Sequence, residues 1–108
     1  MDTYALLERA IAEREQVVAT YNGLAREFCP HALGLKGDRH HVLAFQFDGK
    51  SKRGLPKGGD WRCFEVERLA NVVARPGPWH TDTNLFNPQS CIDTIESLVQ
   101  PMPPAKGR

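Results

Sequence analysis

The sequence predicts a mainly β domain of the α+β class: a small antiparallel barrel of about five strands, with one helix before the strands and one after them. Three observations support this fold class. Apolar residues recur at helical spacing near each end of the chain, short alternating segments separated by turn residues fill the middle, and no helical segment lies between consecutive strands. Strands joined without crossover helices pair antiparallel and curl into a sheet or a small barrel.

The N-terminal helix is predicted over residues 3–15. Leu7 and Ile11 share one face with neighbouring apolar residues, while most of the charged side chains lie on the other face. Asp2 or Thr3 supplies a side-chain oxygen that caps the first turn. A helix that is apolar on one side only has to pack against the strands.

Strand-like and turn-like segments fill the middle of the chain. Residues 16–29 are predicted to form a hairpin, because Asn22-Gly23 readily adopts the positive φ angles of a two-residue turn. Pro30, which lacks an amide proton, is predicted either to end this pairing or to start a bend. Alternation and glycine content predict the remaining elements: strands over residues 40–47 and 61–69, a loop over 48–60, and a short strand at Val72-Val73.

A second helix is predicted near the end of the sequence, over residues 88–99. Asn87 is its predicted cap, Pro88 suits the first helical position, and the apolar residues that follow fit one stripe. The proline-rich residues after this helix are predicted to be disordered. The predicted organisation is one domain at residues 1–100, its helical extension at 80–100 and a disordered tail at 101–108.

Positive charge is concentrated in one part of the sequence, although the net charge of the whole chain is small. Hydrophobic residues make up 41% of the chain and charged residues 25%, and the formal net charge of +1 points to no particular class of partner. Between Lys36 and Arg62, however, seven basic residues stand against three acidic ones. The loop contributes Lys50, Lys52, Arg53 and Lys57. A basic loop is either solvated surface or an electrostatic collar around an anion site.

The cysteines and histidines predict neither a disulfide nor a metal site. The three cysteines are an odd number and widely spaced, so Cys63 and Cys91 are interpreted as free thiols that pack as small hydrophobes. A single Cys-x-His pair, Cys29 and His31, lacks the second pair that is typical of structural zinc sites. The sequence shows no secretory signal and no apolar run long enough to span a bilayer, which predicts a cytoplasmic protein without a membrane partner.

Several short motifs resemble the WYL domain family, over roughly residues 4–75. They are Tyr21-Asn22-Gly23 after a short helix, Pro30 after the second strand, His40-His41-Val42-Leu43 at the start of the third, and Arg62-Cys63-Phe64-Glu65-Val66-Glu67-Arg68-Leu69 as the fourth. In the motif that names the family, His40 and Leu43 stand in the expected places, whereas His41 and Val42 replace the Trp and the Tyr. The later pattern, Arg-x-Phe-x-x-x-Arg and an apolar residue, is complete.

The resemblance implies an Sm-like, SH3-type small barrel that binds a ligand, often a nucleotide or single-stranded nucleic acid, and regulates a partner or a fused domain. It also implies which residues form the ligand-binding rim: Tyr21, His40, Arg62 and Arg68. Most members of the family carry an N-terminal helix-turn-helix. This sequence has no room for one, so transcription-factor activity is not expected.

The two arginines of the later motif are the first candidates for binding an anion. On one continuous strand, Arg62 and Arg68 lie at opposite ends of an apolar strip, and a planar guanidinium suits a phosphate. The alternative is that each arginine pairs with a nearby carboxylate, such as Glu65 or Glu67. His40 is either a hydrogen-bonding or base-stacking contact beside Tyr21 or a structural residue at a strand edge.

These features predict a non-catalytic, regulatory module that binds single-stranded nucleic acid or a nucleotide-type anion. The predicted ligand-binding residues are Tyr21, His40, Arg62, Arg68, Lys50, Lys52, Arg53 and Lys57. No nucleophile–base pair, no paired carboxylates and no cofactor motif are recognisable, so neither catalysis nor a cofactor is expected. The alternative function is a protein-interaction or oligomerisation subunit, with a partner protein or a second copy of the chain as a homodimer.

Overall fold

A computed structural model describes residues 2–52, 54–82 and 90–100. One helix precedes the strands, and the 3-10 turn Val66–Arg68 interrupts them. In chain order the elements are α1 (Thr3–Glu13), β1 (Gln16–Tyr21), β2 (Leu24–Lys36), β3 (Arg39–Gly49), β4 (Asp60–Glu65), the 3-10 turn (Val66–Arg68), β5 (Leu69–Arg75) and β6 (Thr94–Leu98). No helix in the described part of the chain combines the length and the apolar composition needed to cross a bilayer.

The strands form one antiparallel sheet. Its hydrogen-bonded order is β4-β3-β2-β1-β5, and β6 pairs with β2 beside this path. The path ends at β4 on one side and at β5 on the other, so the sheet is open. The predicted mainly β fold with an N-terminal helix is confirmed, whereas closure into a barrel is not, because no hydrogen-bonded pairing joins the two end strands in the described residues.

Local sequence signals account for the first three elements. The Asp2 carboxylate accepts a hydrogen bond from the Ala5 amide at 2.8 Å and caps α1, which ends where Arg14 adopts a left-handed conformation with φ 55°. The turn between β1 and β2 has φ 54° at Asn22 and φ 75° at Gly23, as the predicted hairpin requires. Both the helix and the hairpin are therefore confirmed.

Pro30 lies just beyond the pairing of β1 with β2, which ends at Phe28, so the predicted end of this pairing is confirmed. The strand β2 continues through Pro30 because its neighbour changes there: β1 pairs with β2 up to Phe28, and β6 pairs with it from Ala32 onward. Opposite β3, the register shifts between Pro30 and Ala32. A residue without an amide proton is tolerated at such an irregular point, where the regular ladder is interrupted.

The predicted strand over residues 61–69 is broken. It ends at Glu65, one 3-10 turn follows, and β5 begins at Leu69. Val66 and Leu69 are both buried, with 6% and 7% of their surface exposed. Residues three apart point to opposite faces of a strand but to the same side of a 3-10 turn, so burial of both side chains favours the turn.

The predicted helix over residues 88–99 is wrong, because residues 94–98 form the strand β6. Residues 88 and 89 lie outside the described residues, as does the predicted tail at 101–108. Beyond the end of β1, the second half of β2 offers an unpaired edge, which β6 occupies from Thr94 to Leu98. This pairing outweighs the helical spacing of the apolar residues.

Cys63 and Cys91 form a disulfide, with Cα atoms 5.6 Å apart. The interpretation of these residues as separate free thiols is therefore wrong. A count of cysteines does not reveal which residues the fold brings together, and here β4 and the segment before β6 meet although 28 positions separate the two cysteines. Cys29 is free and buried.

Two apolar clusters pack on the sheet. The main cluster includes Leu7 from α1 together with Phe28 and Phe64 from the strands, and the second includes Leu43 and Ile92. The strand β3 contributes to both clusters, so it is buried on both faces. The segment that contains Ile92 thus covers the side of the sheet opposite the helix.

Gly34 allows the C-terminal segment to pack closely on β2. A Cβ atom at Gly34 would lie 2.0 Å from the carbonyl oxygen of Thr94 and 2.8 Å from Cγ2 of Ile92. We expect Gly34→Ala to force β6 away from β2 and to lower the free energy of unfolding by about 1 to 3 kcal/mol. Urea denaturation measures the loss of stability, and limited proteolysis detects release of residues 90–100.

Gly37→Ala is the matched control for this prediction. A Cβ atom at Gly37 meets nothing within 4 Å, but the residue has φ +62°. The control is therefore expected to lose about 1 kcal/mol through backbone strain alone, with no change in proteolysis of the C-terminal segment. Equal protease resistance in the Gly34→Ala variant would contradict the proposed steric role of Gly34.

Candidate functional site

An open cavity of about 520 Å³ lies where the β1–β2 turn, the loop after β3 and the strand β4 meet. This volume falls within the range of small-molecule sites. Its wall combines two aromatic rings with charged and loop residues. The lining residues are Tyr21, Asn22, Arg26, Ser51, Lys52, Gly54, Pro56, Asp60, Arg62, Cys63 and Phe64.

The wall of the cavity carries an excess of positive charge. Among the described lining residues, Arg26, Lys52 and Arg62 are cationic and Asp60 is acidic. A concave surface lined by one sign of charge concentrates the field and attracts ions of the opposite sign. The cavity is therefore suited to an anion.

Arg26 is the most unusual residue of the site. Only 3% of its surface is exposed, and its guanidinium donates to the Gln46 side chain at 3.3 Å and to the Tyr21 carbonyl at 3.1 Å. Its Nε atom has no hydrogen-bond partner, and no carboxylate within the described residues forms a salt bridge with it. Burial, and then the like charge of Arg62, lower the pKa of Arg26. A buried cation without a counter-ion is unfavourable, and an anion in the cavity would offset that cost.

Arg62 is held by the loop that covers the cavity. Its guanidinium donates to the Asp60 carboxylate at 3.0 Å, to the Gly54 carbonyl at 3.2 Å and to the Ser51 hydroxyl at 3.4 Å. The glycine-rich loop therefore closes on this side chain through its own acceptors. Asp60 is the carboxylate partner that the alternative interpretation of Arg62 required, although the sequence suggested a different acid.

The Tyr21 ring is surrounded by charged and aromatic groups. The Cζ atoms of Arg26 and Arg68 lie 5.5 and 5.0 Å from its centroid, and the Phe64 ring packs edge-on at 4.8 Å. The Glu65 amide donates to the Tyr21 hydroxyl at 3.1 Å. These contacts fix the ring in place and occupy much of the surface on which a base would stack.

The broken strand changes the relationship of the two predicted arginines. Arg62 lies on β4, whereas Arg68 lies in the 3-10 turn, donates to the Asn22 side chain and packs on Tyr21. The expectation that both arginines lie on one continuous strand is therefore wrong. Arg68 borders two residues of the cavity wall but does not itself line the cavity.

The remaining predicted residues are divided between the cavity and other surfaces. Tyr21, Lys52 and Arg62 line the cavity, whereas Lys50 and Lys57 do not, and Arg53 lies outside the described residues. Sequence reasoning missed Arg26. A single arginine in a strand carries no local signal that its side chain is buried.

His40 belongs to a separate cluster with the helix and β6. Its ring packs against Tyr4 at 4.6 Å, and its Nε2 atom lies 3.4 Å from the Glu96 carboxylate. Tyr4 donates to the same carboxylate at 2.5 Å, and burial together with this hydrogen bond raises the pKa of Tyr4 to about 12. His40 thus joins three elements, and it is not part of the cavity wall.

The buried imidazole of His31 packs against the segment that follows β5, residues 76–82, which is called the strap below. His31 is fully buried, lies between Trp61 and Trp79 at 4.7 and 4.8 Å, and contacts the Thr81 hydroxyl through Nε2 at 2.8 Å. Burial lowers the pKa of His31 to about 4 and raises that of the Cys29 thiol to about 11, so both groups are neutral near pH 7. The described residues contain no group of three or more side chains suited to a metal ion.

Comparison with known proteins agrees with the motifs and the β-rich fold. The model of the WYL domain family matches residues 2–74. No curated protein and no solved structure matches the chain. Domains of this family are in general regulatory, ligand-sensing modules and typically non-catalytic. The match ends before the strap and the strand β6.

Proposed function

Because the chain belongs to the WYL domain family, we propose that it is a non-catalytic regulatory module that binds a phosphate-bearing anion in the basic cavity. A nucleotide or single-stranded nucleic acid is the proposed ligand. The observation that carries the proposal is Arg26, a buried guanidinium with no carboxylate partner among the described residues. A phosphate is the natural partner of such a group, since charge-assisted hydrogen bonds to phosphate are short and strong.

The geometry supports recognition of phosphate more than recognition of a base. Arg26 and Arg62 line the same cavity, and Lys52 adds a third positive charge at its loop side. The Tyr21 ring already packs against two guanidinium groups and Phe64, which leaves less of it for stacking with a base. Contacts to phosphates position a nucleic acid without reading its sequence. The proposed binding is therefore electrostatic and independent of sequence.

The test is a titration with inorganic pyrophosphate and with a short oligothymidylate at several salt concentrations. Arg26→Met and Arg62→Gln are each expected to weaken binding by about tenfold or more, because a hydrogen bond to a charged group contributes about 1.5 to 3 kcal/mol. Affinity for the oligonucleotide should fall as salt rises, with a shallower slope in both variants.

Arg39→Gln is the matched control. Arg39 is also a strand arginine, but it is exposed, pairs with Glu65 at 2.8 Å and does not line the cavity. This variant is expected to bind both ligands with unchanged affinity. Thermal unfolding confirms that each variant is folded. Flat titrations at the lowest salt concentration, or equal losses in all three variants, would refute the proposed function.

A protein-interaction or oligomerisation role is the second candidate. Among the described residues, two large apolar side chains are exposed on strands that end or flank the sheet: Val73 on β5 at 57% and Ile95 on β6 at 41%. Single exposed apolar residues are common on monomers, so this observation ranks below the charged cavity. Sedimentation velocity over a range of concentrations tests the predicted homodimer, and Val73→Lys is expected to abolish it.

A further inference from the structure

The disulfide connects the cavity wall to the C-terminal segment. Cys63 lines the cavity between Arg62 and Phe64 on β4. Cys91, its partner, lies beyond residue 74, where the family match ends. A binding site of the family core is therefore linked covalently to a segment that the family model does not include.

The two sulfur-bearing residues differ in accessibility. Cys63 is exposed on β4, whereas only 1% of the surface of Cys91 is exposed. Thiol–disulfide exchange requires a thiolate to reach one of the two sulfur atoms. Cys63 is therefore the more accessible residue of the pair, and a reductant is expected to attack it rather than Cys91.

The disulfide crosslinks β4, which lies at the end of the sheet path. In the described residues β4 pairs with β3 alone. The loop before it has positive φ at Gly54, Gly58 and Gly59, which makes it adaptable. The neighbour of Cys91, Ile92, is in contrast fully buried. The disulfide thus fastens an edge strand, which carries Arg62, to a buried point of the C-terminal segment.

We propose that the Cys63–Cys91 pair is a redox site that controls binding of the anion, an inference that rests on the proposed function. A thiolate of a dithiol reductant attacks Cys63 Sγ, the Cys63–Cys91 bond breaks, and Cys91 leaves as a thiolate and takes up a proton. The second thiolate of the reductant then attacks the reductant's own sulfur in the mixed disulfide. Cys63 leaves and is protonated, so the protein gains two thiols and the reductant becomes a cyclic disulfide.

The oxidised protein is the form that binds tightly. The disulfide holds β4 against its neighbours, so Arg62 and Phe64 keep their positions at the cavity without loss of entropy on binding. After reduction β4 is held by β3 and by the main apolar cluster, and its local opening becomes easier. Reduction is expected to weaken binding by about 5- to 20-fold, within the usual range for coupling between two sites.

The experiment compares oxidised and dithiothreitol-reduced protein in titrations with inorganic pyrophosphate and a short oligothymidylate. A Cys63→Ser/Cys91→Ala double variant is expected to bind as weakly as the reduced protein. Its affinity is expected to stay the same when the reductant is added. Cys29→Ser, which changes the buried free thiol, is expected to keep the full response. Hydrogen exchange measured by mass spectrometry should increase in β4 and the loop before it, but not in β1 and β2.

Three other results would contradict redox control of anion binding, and they can be distinguished from one another. Equal affinity of the oxidised and reduced forms refutes the coupling and leaves the proposed function intact. No binding by either form refutes the proposed function, and the coupling with it. Loss of the whole far-ultraviolet circular dichroism signal on reduction would show that the disulfide stabilises the entire fold and does not act on the cavity.

Discussion

Replacing both disulfide cysteines, by Cys63→Ser and Cys91→Ala, is expected to lower the free energy of unfolding by about 3 to 4 kcal/mol. The two residues are 28 positions apart, so the disulfide closes a long loop and restricts the unfolded chain. Native domains are stable by about 5 to 15 kcal/mol, so the variant should remain folded at room temperature. Urea denaturation of the oxidised protein and of the variant measures the difference.

The reductant provides the control for this prediction. Dithiothreitol should lower the stability of the unmodified protein to that of the double variant and should leave the variant unchanged. Cys29 is buried and not part of the disulfide, so it contributes equally in all of these samples. A difference of less than about 1 kcal/mol between oxidised protein and variant would contradict the prediction.

Acidification from about pH 7.5 to about pH 5 is expected to remove roughly 2 kcal/mol of stability through His31 alone. The ordinary pKa of histidine is 6.5, and burial lowers that of His31 in the folded protein to about 4. The unfolded chain therefore takes up a proton at a pH where the folded protein does not. This stability is complete above pH 6.5 and declines as the pH falls towards 4, below which the folded protein is protonated as well.

Two single variants separate the contribution of His31 from that of other titrating groups. His31→Gln keeps a polar side chain without the titration, so its stability should vary less with pH over this range. His41→Gln is the matched control, because His41 is half-buried and its ring contacts the Arg39 carbonyl at 3.2 Å. Parallel pH profiles for His31→Gln and unmodified protein would contradict the assignment.

The fluorescence of the two tryptophans is expected to report the protonation of His31. The chain contains two tryptophans, and both pack against the His31 ring. Protonation of the buried His31 ring should loosen its contact with the strap that carries Trp79 and Thr81. The indole fluorescence of the folded protein is therefore expected to change as the pH approaches 4.

Features that depend on neighbouring residues were predictable. The N-terminal helix, its Asp2 cap, the Asn22-Gly23 turn and the strand around Val42 follow from helical spacing, capping, positive φ and alternation, each of which acts over a few residues. The family motifs are similarly short, and the match to the WYL family over residues 2–74 confirms them. Of the candidate site, Tyr21, Lys52 and Arg62 were identified in this way and do line one cavity.

Features that depend on distant residues were not predictable from spacing. The segment around Ile95 has the apolar spacing of a helix, yet it forms a strand because β2 extends beyond β1 and leaves an edge to be paired. His40 stands at a motif position, yet Tyr4 and Glu96 hold it away from the cavity. Arg26 carries no sequence signal at all, because its importance lies in burial without a counter-ion.

The helix, the first hairpin, the β-rich class and the family can be recognised from the sequence, because local backbone preferences and short motifs are encoded in adjacent residues. The open sheet, the Cys63–Cys91 disulfide and the charged cavity around Arg26 become visible only in the folded chain. The physical reason is that strand pairing, crosslinking and desolvation depend on which distant groups meet. The energy of a buried charge is set by all of its neighbours, and folding is what brings those neighbours together.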